Sequence, residues 1–287
     1  MEIAIISRER EKNLLRCISF IVRNTILPSS IIIVKTGSFK NKTILQRIRK
    51  IIRSAGITLK YKKVKDLGIS HARNVACSLV KDTIFAFLDD DEICPKNWID
   101  TATKILLKHQ DVIAVTGYKD IYYKRNYWNL IWKELCKKTE RLEGYTNFAT
   151  SSNTFYRIQF LRDAHITYDR SFKTSSEDLV LSQKIKLAHG HMWFSHTLTI
   201  WHTYRTSILE MIKQWFDYGR TILTFKYKYV HAHNAKRSIC INDFIFQGIK
   251  THTKKLILIP GLLIIDVSFL FGYAYQFICR GLTTSNR

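Results

Sequence analysis

The first 116 residues of this 287-residue chain alternate short apolar runs with segments of helical periodicity, and that order leaves few folds open. "IAII" (residues 3–6) reads as a strand, and "REKNLLRCISFIV" (10–22) sets Leu14, Leu15, Ile18, Ile21 and Val22 at helical spacing. "SIIIV" (30–34) has the composition of a buried strand. "TILQRIRKIIRSAG" (43–56) returns to helical spacing through Ile44, Leu45, Ile48, Ile51 and Ile52, with Gly56 just past its end. "ITLKY", "SHARNVACSLV" and "TIFAFL" continue as strand, helix and strand. A helix from about Pro95 to His109 then leads into the strand "DVIAVTG". Strictly alternating elements predict an α/β fold: a doubly wound, mainly parallel sheet flanked by helices. Sheets of this kind bind ligands beyond the carboxyl ends of their strands.

The fourth strand runs into "FAFLDDDEICPKNW" (85–98). Three adjacent carboxylates repel one another unless they are solvated or share a cation. In an extended chain Asp89 and Asp91 project to one side and Asp90 to the other. Two oxygen-rich side chains on one side suit a hard divalent ion, Mg²⁺ or Mn²⁺. The structural alternative is an acidic turn ahead of a helix that opens at Pro95. The chain has 11 glycines and neither G-x-x-x-x-G-K-[ST] nor G-x-G-x-x-G. Any nucleotide diphosphate it binds must therefore be neutralised by a metal or by Lys and Arg.

A second acidic pair lies in "TSSEDLVLSQKI" (174–185). Ser175 and Asp178 have the S-x-x-D spacing of a helix cap, and a helix N-terminus favours an ionised acid. As a general base, Asp178 would be kept ionised there, with a lowered pKa. His202 directly follows a strand-like run and is a candidate metal or diphosphate contact. Arg73, in "GISHARN", is a candidate phosphate partner, with an ordinary helix-surface arginine as the alternative.

A formal charge of +23 suits polyanionic partners: nucleic acid, anionic lipid or phosphorylated small molecules. The basic residues are spread along the chain. The concentrated basic tail that would point to nucleic acid is absent, so nucleic acid is not the expected partner. The six cysteines form no CxxC, which disfavours a zinc ribbon and fits reduced thiols. The chain opens on a strand with no signal-peptide layout. Residues 256–279 carry a single formal charge, Asp266. As a helix they would reach about 36 Å, against a hydrocarbon core of about 30 Å. Pro260, Gly261 and Asp266 count against a clean crossing, while Lys254, Lys255 and Arg280 flank the segment as they would at a membrane surface. Between the sheet and this segment, residues 118–148 are rich in Tyr, Trp and Lys. They suit either a helix lining an acceptor cleft or membrane, or an amphipathic helix packed on the sheet. "NTFYRI" and "HMWFSHTLTIW" read as strands, "SEDLVLSQKIKLAHG" as a helix, and 205–235 as a long helix.

In order along the chain, "EIAIISRERE", "IIIVKTGS", "LGISHARNVA", "FAFLDDDEICPKNW", "SSEDLVLSQKIKLAHG", "IWHTYRTS" and "FDYGR" resemble a family 2 glycosyltransferase of the GT-A fold, from residue 2 to about 220. The resemblance implies transfer of a sugar, with inversion, from a UDP-, GDP- or dTDP-linked donor to an acceptor hydroxyl. It implies Asp178 as catalytic base and Glu177 in the acceptor site. Ser7, Arg8, Arg73, Asp89 and Asp90 would meet the donor, and Asp91, with Asp89 and His202, the metal. It divides the chain into a nucleotide-sugar half (1–117), an acceptor half (118–235) and a C-terminal helical extension (236–287). A lipid-linked or cell-envelope glycan acceptor at the cytoplasmic face of an anionic membrane is the expected setting. One departure stands out: the second strand of this family usually ends in acid, and here it ends in Lys35 and Thr36. That departure and the charge leave room for an alternative, a non-catalytic GT-A-like module binding nucleic acid or anionic lipid.

Overall fold

The computed structural model describes residues 1–122, 126–138, 142–205, 207–230 and 256–284. Two compact units emerge. The first comprises Met1–Tyr122, Arg141–Lys173 and Glu177–Thr203; the second comprises Tyr123–Glu140, Thr174–Ser176 and Tyr204–Arg287.

In the first unit the alternation holds from its first residue. Strands β1 (Glu2–Ser7), β2 (Ser30–Thr36), β3 (Thr58–Val64) and β4 (Ile84–Asp89) are joined by helices α1 (Glu11–Ile21), α2 (Lys42–Ser54) and α3 (Ile69–Leu79). They pair in parallel in the order β3-β2-β1-β4. There follow β5 (Glu92–Ile93), α4 (Trp98–Lys108), β6 (Val112–Ile121), β7 (Gly144–Thr146), β8 (Thr154–Arg157), α6 (Ile158–Asp163), α7 (Glu177–Leu187) and β9 (His191–His202); helix α5 (Tyr127–Lys138), between β6 and β7, belongs to the second unit. The sheet continues β4-β8-β6-β9-β5, with β7 on β9. Strand β8 is antiparallel to both β4 and β6, so the sheet is mixed beyond β4. The helix α4 starts at Trp98, three residues later than the Pro95 start expected.

The period of two along each strand splits the core into two layers. Ile3, Ile5, Ile31, Ile33 and Leu88 pack with Leu14, Ile18, Ile48, Ile52 and Trp98 from α1, α2 and α4. Ala4, Ile32, Val34, Phe85 and Phe87 face the other way, onto Ala72, Ala76, Leu161 and Leu181 from α3, α6 and α7. Helix α2 shows why its sequence stops where it does. Asn41 Oδ1 accepts from the Thr43 and Ile44 N–H groups at its start, and Gly56 takes φ +70 just past its end. Cys17, Cys77, Cys94 and Cys279 carry free thiols.

In the second unit, α8 (Ile208–Phe225) passes into a short π-helical turn, Lys226–Val230, and α9 (Ile259–Thr284) packs along α8. Gly219 and Gly272 make that crossing close: a Cβ on either would lie 1.9–2.0 Å from a carbonyl oxygen of the facing helix. Helix α5 packs on α9, where the Gly261 N–H donates to the Tyr127 hydroxyl (2.8 Å). Its Trp132 ring stacks on Tyr204. Of the Tyr-, Trp- and Lys-rich stretch, 118–121 end β6, Tyr127–Lys138 form α5, and Gly144–Thr146 form β7. Among the described residues one helix, Ile259–Arg280, is long and apolar enough to cross a membrane, and 28% of that window is buried. Leu263, Val267, Phe271 and Tyr275 form an exposed stripe along it at four-residue spacing. The boundary expected at 117 falls inside β6. Residues 231–235 of the expected long helix, with Lys254, Lys255 and Cys240, lie outside the described residues.

Candidate active site

The acidic motifs meet at the carboxyl ends of the strands, wholly within the first unit. Strand β4 ends at Asp89, and Asp90 and Asp91 form the turn into β5. This turn overrides the alternation expected of an extended chain. Asp89 is directed at Arg73 (3.3 Å), whereas Asp90 and Asp91 both hold Arg10. The next residue fixes the turn. Glu92 is fully buried; its Oε2 accepts the Asp89 N–H (2.8 Å) and its Oε1 accepts the Ser152 hydroxyl (2.8 Å). Lys119, near the end of β6, pairs with the same Glu92 oxygen at 2.9 Å. Glu92 and Lys119 are thus site residues that spacing alone did not single out, since β5 is two residues long and Lys119 is 27 positions away.

Arg73 joins the two acidic motifs. Buried on α3, it donates to Glu177 through Nη1 and lies against Asp89 through Nη2, with the Phe87 and Tyr168 rings 5.7 Å from its guanidinium carbon. It is therefore not an exposed helix arginine, and its buried Nε makes no hydrogen bond among the described residues. Glu177, expected in the acceptor site, is buried and pairs with Arg73. Burial disfavours the Arg73 charge, but Glu177 and Asp89 outweigh it and raise the pKa. Burial also opposes the charge of Asp89; Arg73 and then Lys119 overcome this and lower its pKa.

Asp178 behaves differently. Burial and the neighbouring Glu177 charge push its pKa up to about 7, against the opposing pull of Arg73, the Leu179 N–H and Lys119. The helix-end effect expected to lower it is the smaller influence. Ser175 does not cap α7: its hydroxyl bonds Thr221 (2.8 Å) in α8. Ser176 enters the helix at φ +64.

At the metal candidates, Asp91 Oδ1 is buried and accepts no hydrogen bond among the described residues, and it lies 3.3 Å from His202 Nε2. Burial drives the His202 pKa down to about 4, so the ring is neutral at physiological pH, as a metal ligand must be. Among the described residues no group of three or more His, Cys, Asp or Glu surrounds a common point. Asp91 and His202 would together offer Mg²⁺ or Mn²⁺ one carboxylate oxygen and one neutral imidazole nitrogen.

The donor-side residues divide. Ser7 ends β1, buried, beside Asp90, whose pKa burial raises to about 6 against Arg10 and the Ser7 hydroxyl. Arg8 is exposed and pairs with Asp66 at 2.5 Å. Lys35, where acid was expected, is buried; its ammonium donates to the Arg8 carbonyl, lies 3.9 Å from Glu11 and sits over the Phe39 ring. It holds the segment after β1 from behind.

The solved structures similar to the chain include S. aureus TarS 1-349 (15% identity, TM-score 0.61, covering 95% of this chain and 81% of that one). The same segment of TarS in complex with UDP-GlcNAc is similar over 98% of this chain and 92% of that one (13% identity, TM-score 0.56). A longer TarS structure matches over 95% of this chain and 54% of its own (13% identity, TM-score 0.54). These likenesses establish the fold. No match was found among curated proteins. The model of "Glycosyl transferase family 2" matches residues 2–175, stopping just short of the Glu177–Asp178 pair, which geometry alone ties to the rest of the site. With more than half its length matched, the chain belongs to glycosyl transferase family 2 and is a glycosyltransferase.

Proposed function

We propose that the enzyme is an inverting, divalent-metal-assisted transferase that moves a sugar from a nucleotide donor to a hydroxyl of a glycan or lipid-linked acceptor. The observation that carries this reading is Arg73. By holding Asp89 with one arm and Glu177 with the other, it brings the end of β4 beside the start of α7, so the donor-side acids and Asp178 serve one reaction centre.

Asp91 and His202 would hold Mg²⁺ or Mn²⁺. When bound, the ion supplies charge neutralisation to the departing diphosphate. Asp178 stands ready for the other half of the reaction. A carboxylate with a pKa of about 7 is ionised in a useful fraction near neutrality and still basic enough to accept a proton. It takes the proton of the acceptor hydroxyl as that oxygen bonds to the anomeric carbon and the bond to the diphosphate oxygen breaks. A single displacement of this kind inverts the configuration. Arg73 holds Glu177 and Asp89 together, and Glu92 with Lys119 holds Asp89 in place.

For the donor, the first nucleotide to test is UDP, because TarS is known in complex with UDP and with UDP-GlcNAc; GDP and dTDP follow. For the setting, two features support the cytoplasmic face of an anionic membrane. Helix α9 exposes its apolar stripe, and residues 12–65 contain no acid but 14 Lys and Arg, many of them exposed on α2 and β3. The non-catalytic alternative rested partly on Lys35, and its burial behind Arg8 removes that support. A panel of UDP-, GDP- and dTDP-sugars with and without Mn²⁺, read by nucleotide release and by NMR of the product's anomeric configuration, tests the reading. Turnover with inversion supports it; folded protein with no turnover or binding across the panel counts against it.

A further inference from the structure

The segment between β1 and α1 reads "SRERE" (7–11), and its Arg10 has no part in the mechanism above. Arg10 Nε lies 3.3 Å from Asp90 Oδ1, and Nη1 donates to Asp91 Oδ2. Both carboxylates are buried, while the Arg10 side chain is 52% exposed. An arginine cannot lose its proton in a protein, so the acid cluster always carries a cation on this side. The other oxygen of Asp91 faces His202. Arg10 therefore sits on the carboxylate that the proposed metal would use.

The backbone that carries this side chain is held by its neighbours. Lys35 grips the Arg8 carbonyl from behind, and the Glu11 N–H donates to the Glu9 carbonyl. The Glu11 carboxylate accepts the Lys40 and Asn41 N–H groups at 2.6 and 3.1 Å. Arg10 itself occupies the N-cap position of α1 without a side-chain capping bond. Its release costs no backbone contact and needs only rotation about its own side-chain bonds.

We propose that Arg10 is a resident counter-cation: it neutralises Asp90 and Asp91 when the site is empty, and leaves them for the donor's diphosphate when metal and donor bind. This rests on the reading of Asp91 and His202 as metal ligands. It makes metal binding and nucleotide binding cooperative, because the diphosphate gives Arg10 a second anion to hold once a metal has taken its place on Asp91. Each ligand then raises the affinity for the other by the same factor.

The test is Mn²⁺ affinity, measured by the loss of the free-ion electron paramagnetic resonance signal, with and without saturating UDP and no acceptor present. Arg10→Gln removes the competitor and should bind Mn²⁺ alone about tenfold more tightly than the wild type, with a smaller enhancement by UDP. Arg10→Lys keeps the charge but cannot span both carboxylates and should fall between. Unchanged or weaker Mn²⁺ binding by Arg10→Gln, with an undiminished UDP effect, overturns the inference. Asp91→Asn separates the two readings. If it binds Mn²⁺ as the wild type does, or if no form binds Mn²⁺ even with UDP, the metal site itself is wrong and the inference falls with it.

Discussion

Arg73 Nη2 stands 3.3 Å from the Asp89 carboxylate, a contact that links a helix beginning after β3 to the last residue of β4. With Glu177 on its other nitrogen, the guanidinium is the only part of Arg73 that balances two carboxylates in a largely buried place. Replacing it takes from Glu177 and Asp89 the cation they share. Arg73→Met should lower unfolding stability by roughly 3–5 kcal/mol, the usual cost of removing one partner from a buried ionic cluster. Urea denaturation checks this. A change below about 1 kcal/mol would mean that the cluster does not hold the site together.

Asp178 should set the acid limb of catalysis. Its pKa of about 7 predicts that kcat falls tenfold per pH unit below that value, in a profile measured at saturating donor and acceptor. The same shift has a cost in stability. The folded protein keeps this proton up to about pH 7, whereas the unfolded chain releases it near 3.9. Between those values the native state binds more protons, so the Asp178 contribution to stability is present below the lower pKa and lost as pH rises through the upper one. Asp178→Asn should therefore raise Tm relative to the wild type at pH 8 and change it little at pH 4.

His202 works in the opposite sense. Its pKa is lowered to about 4 from about 6.5 in the unfolded chain. The unfolded state binds the extra proton in that window, and stability is lost as pH falls from about 6.5 towards 4. His202→Gln should flatten the pH dependence of Tm across this range and weaken Mn²⁺ binding. Retained acid sensitivity, measured by differential scanning calorimetry, would show that other groups set it.

Lys35 should prove structural. Its truncation leaves the Arg8 carbonyl and Glu11 without their buried partner, and Lys35→Met should cost about 1–3 kcal/mol. Lys35→Glu, which restores the acid usual at this position, should cost more, because it sets a carboxylate against Glu11 and near Asp90. Chemical denaturation of both variants decides the order.

The parallel half of the sheet was legible in the chain because its strands and helices are long enough to show their periods. Strand β5 was not, since two residues have no periodicity. Its Glu92 nevertheless bends the acidic run, so the alternation expected of Asp89–Asp91 gives way to a turn. The acidic motifs themselves were readable by composition, but their partners were not. Arg73 meets Glu177 across 104 positions, and Lys119 meets Glu92 across 27; no local signal encodes such pairings. The Asp178 pKa lies above its usual value, opposite to the sequence expectation, for a related reason. A helix end is visible in sequence, whereas burial beside Glu177, which outweighs it, is a property of the assembled site.

The proposed mechanism divides the labour: Asp91 on the donor side, Asp178 on the acceptor side. The most direct measurement compares UDP binding, by calorimetry with Mn²⁺, and sugar transfer for Asp91→Asn and Asp178→Asn beside the wild type. Asp178→Asn should bind UDP as the wild type does while transferring at least about 100-fold more slowly, and Asp91→Asn should lose Mn²⁺-dependent binding. Wild-type transfer by Asp178→Asn, or unimpaired Mn²⁺-dependent UDP binding by Asp91→Asn, would contradict it.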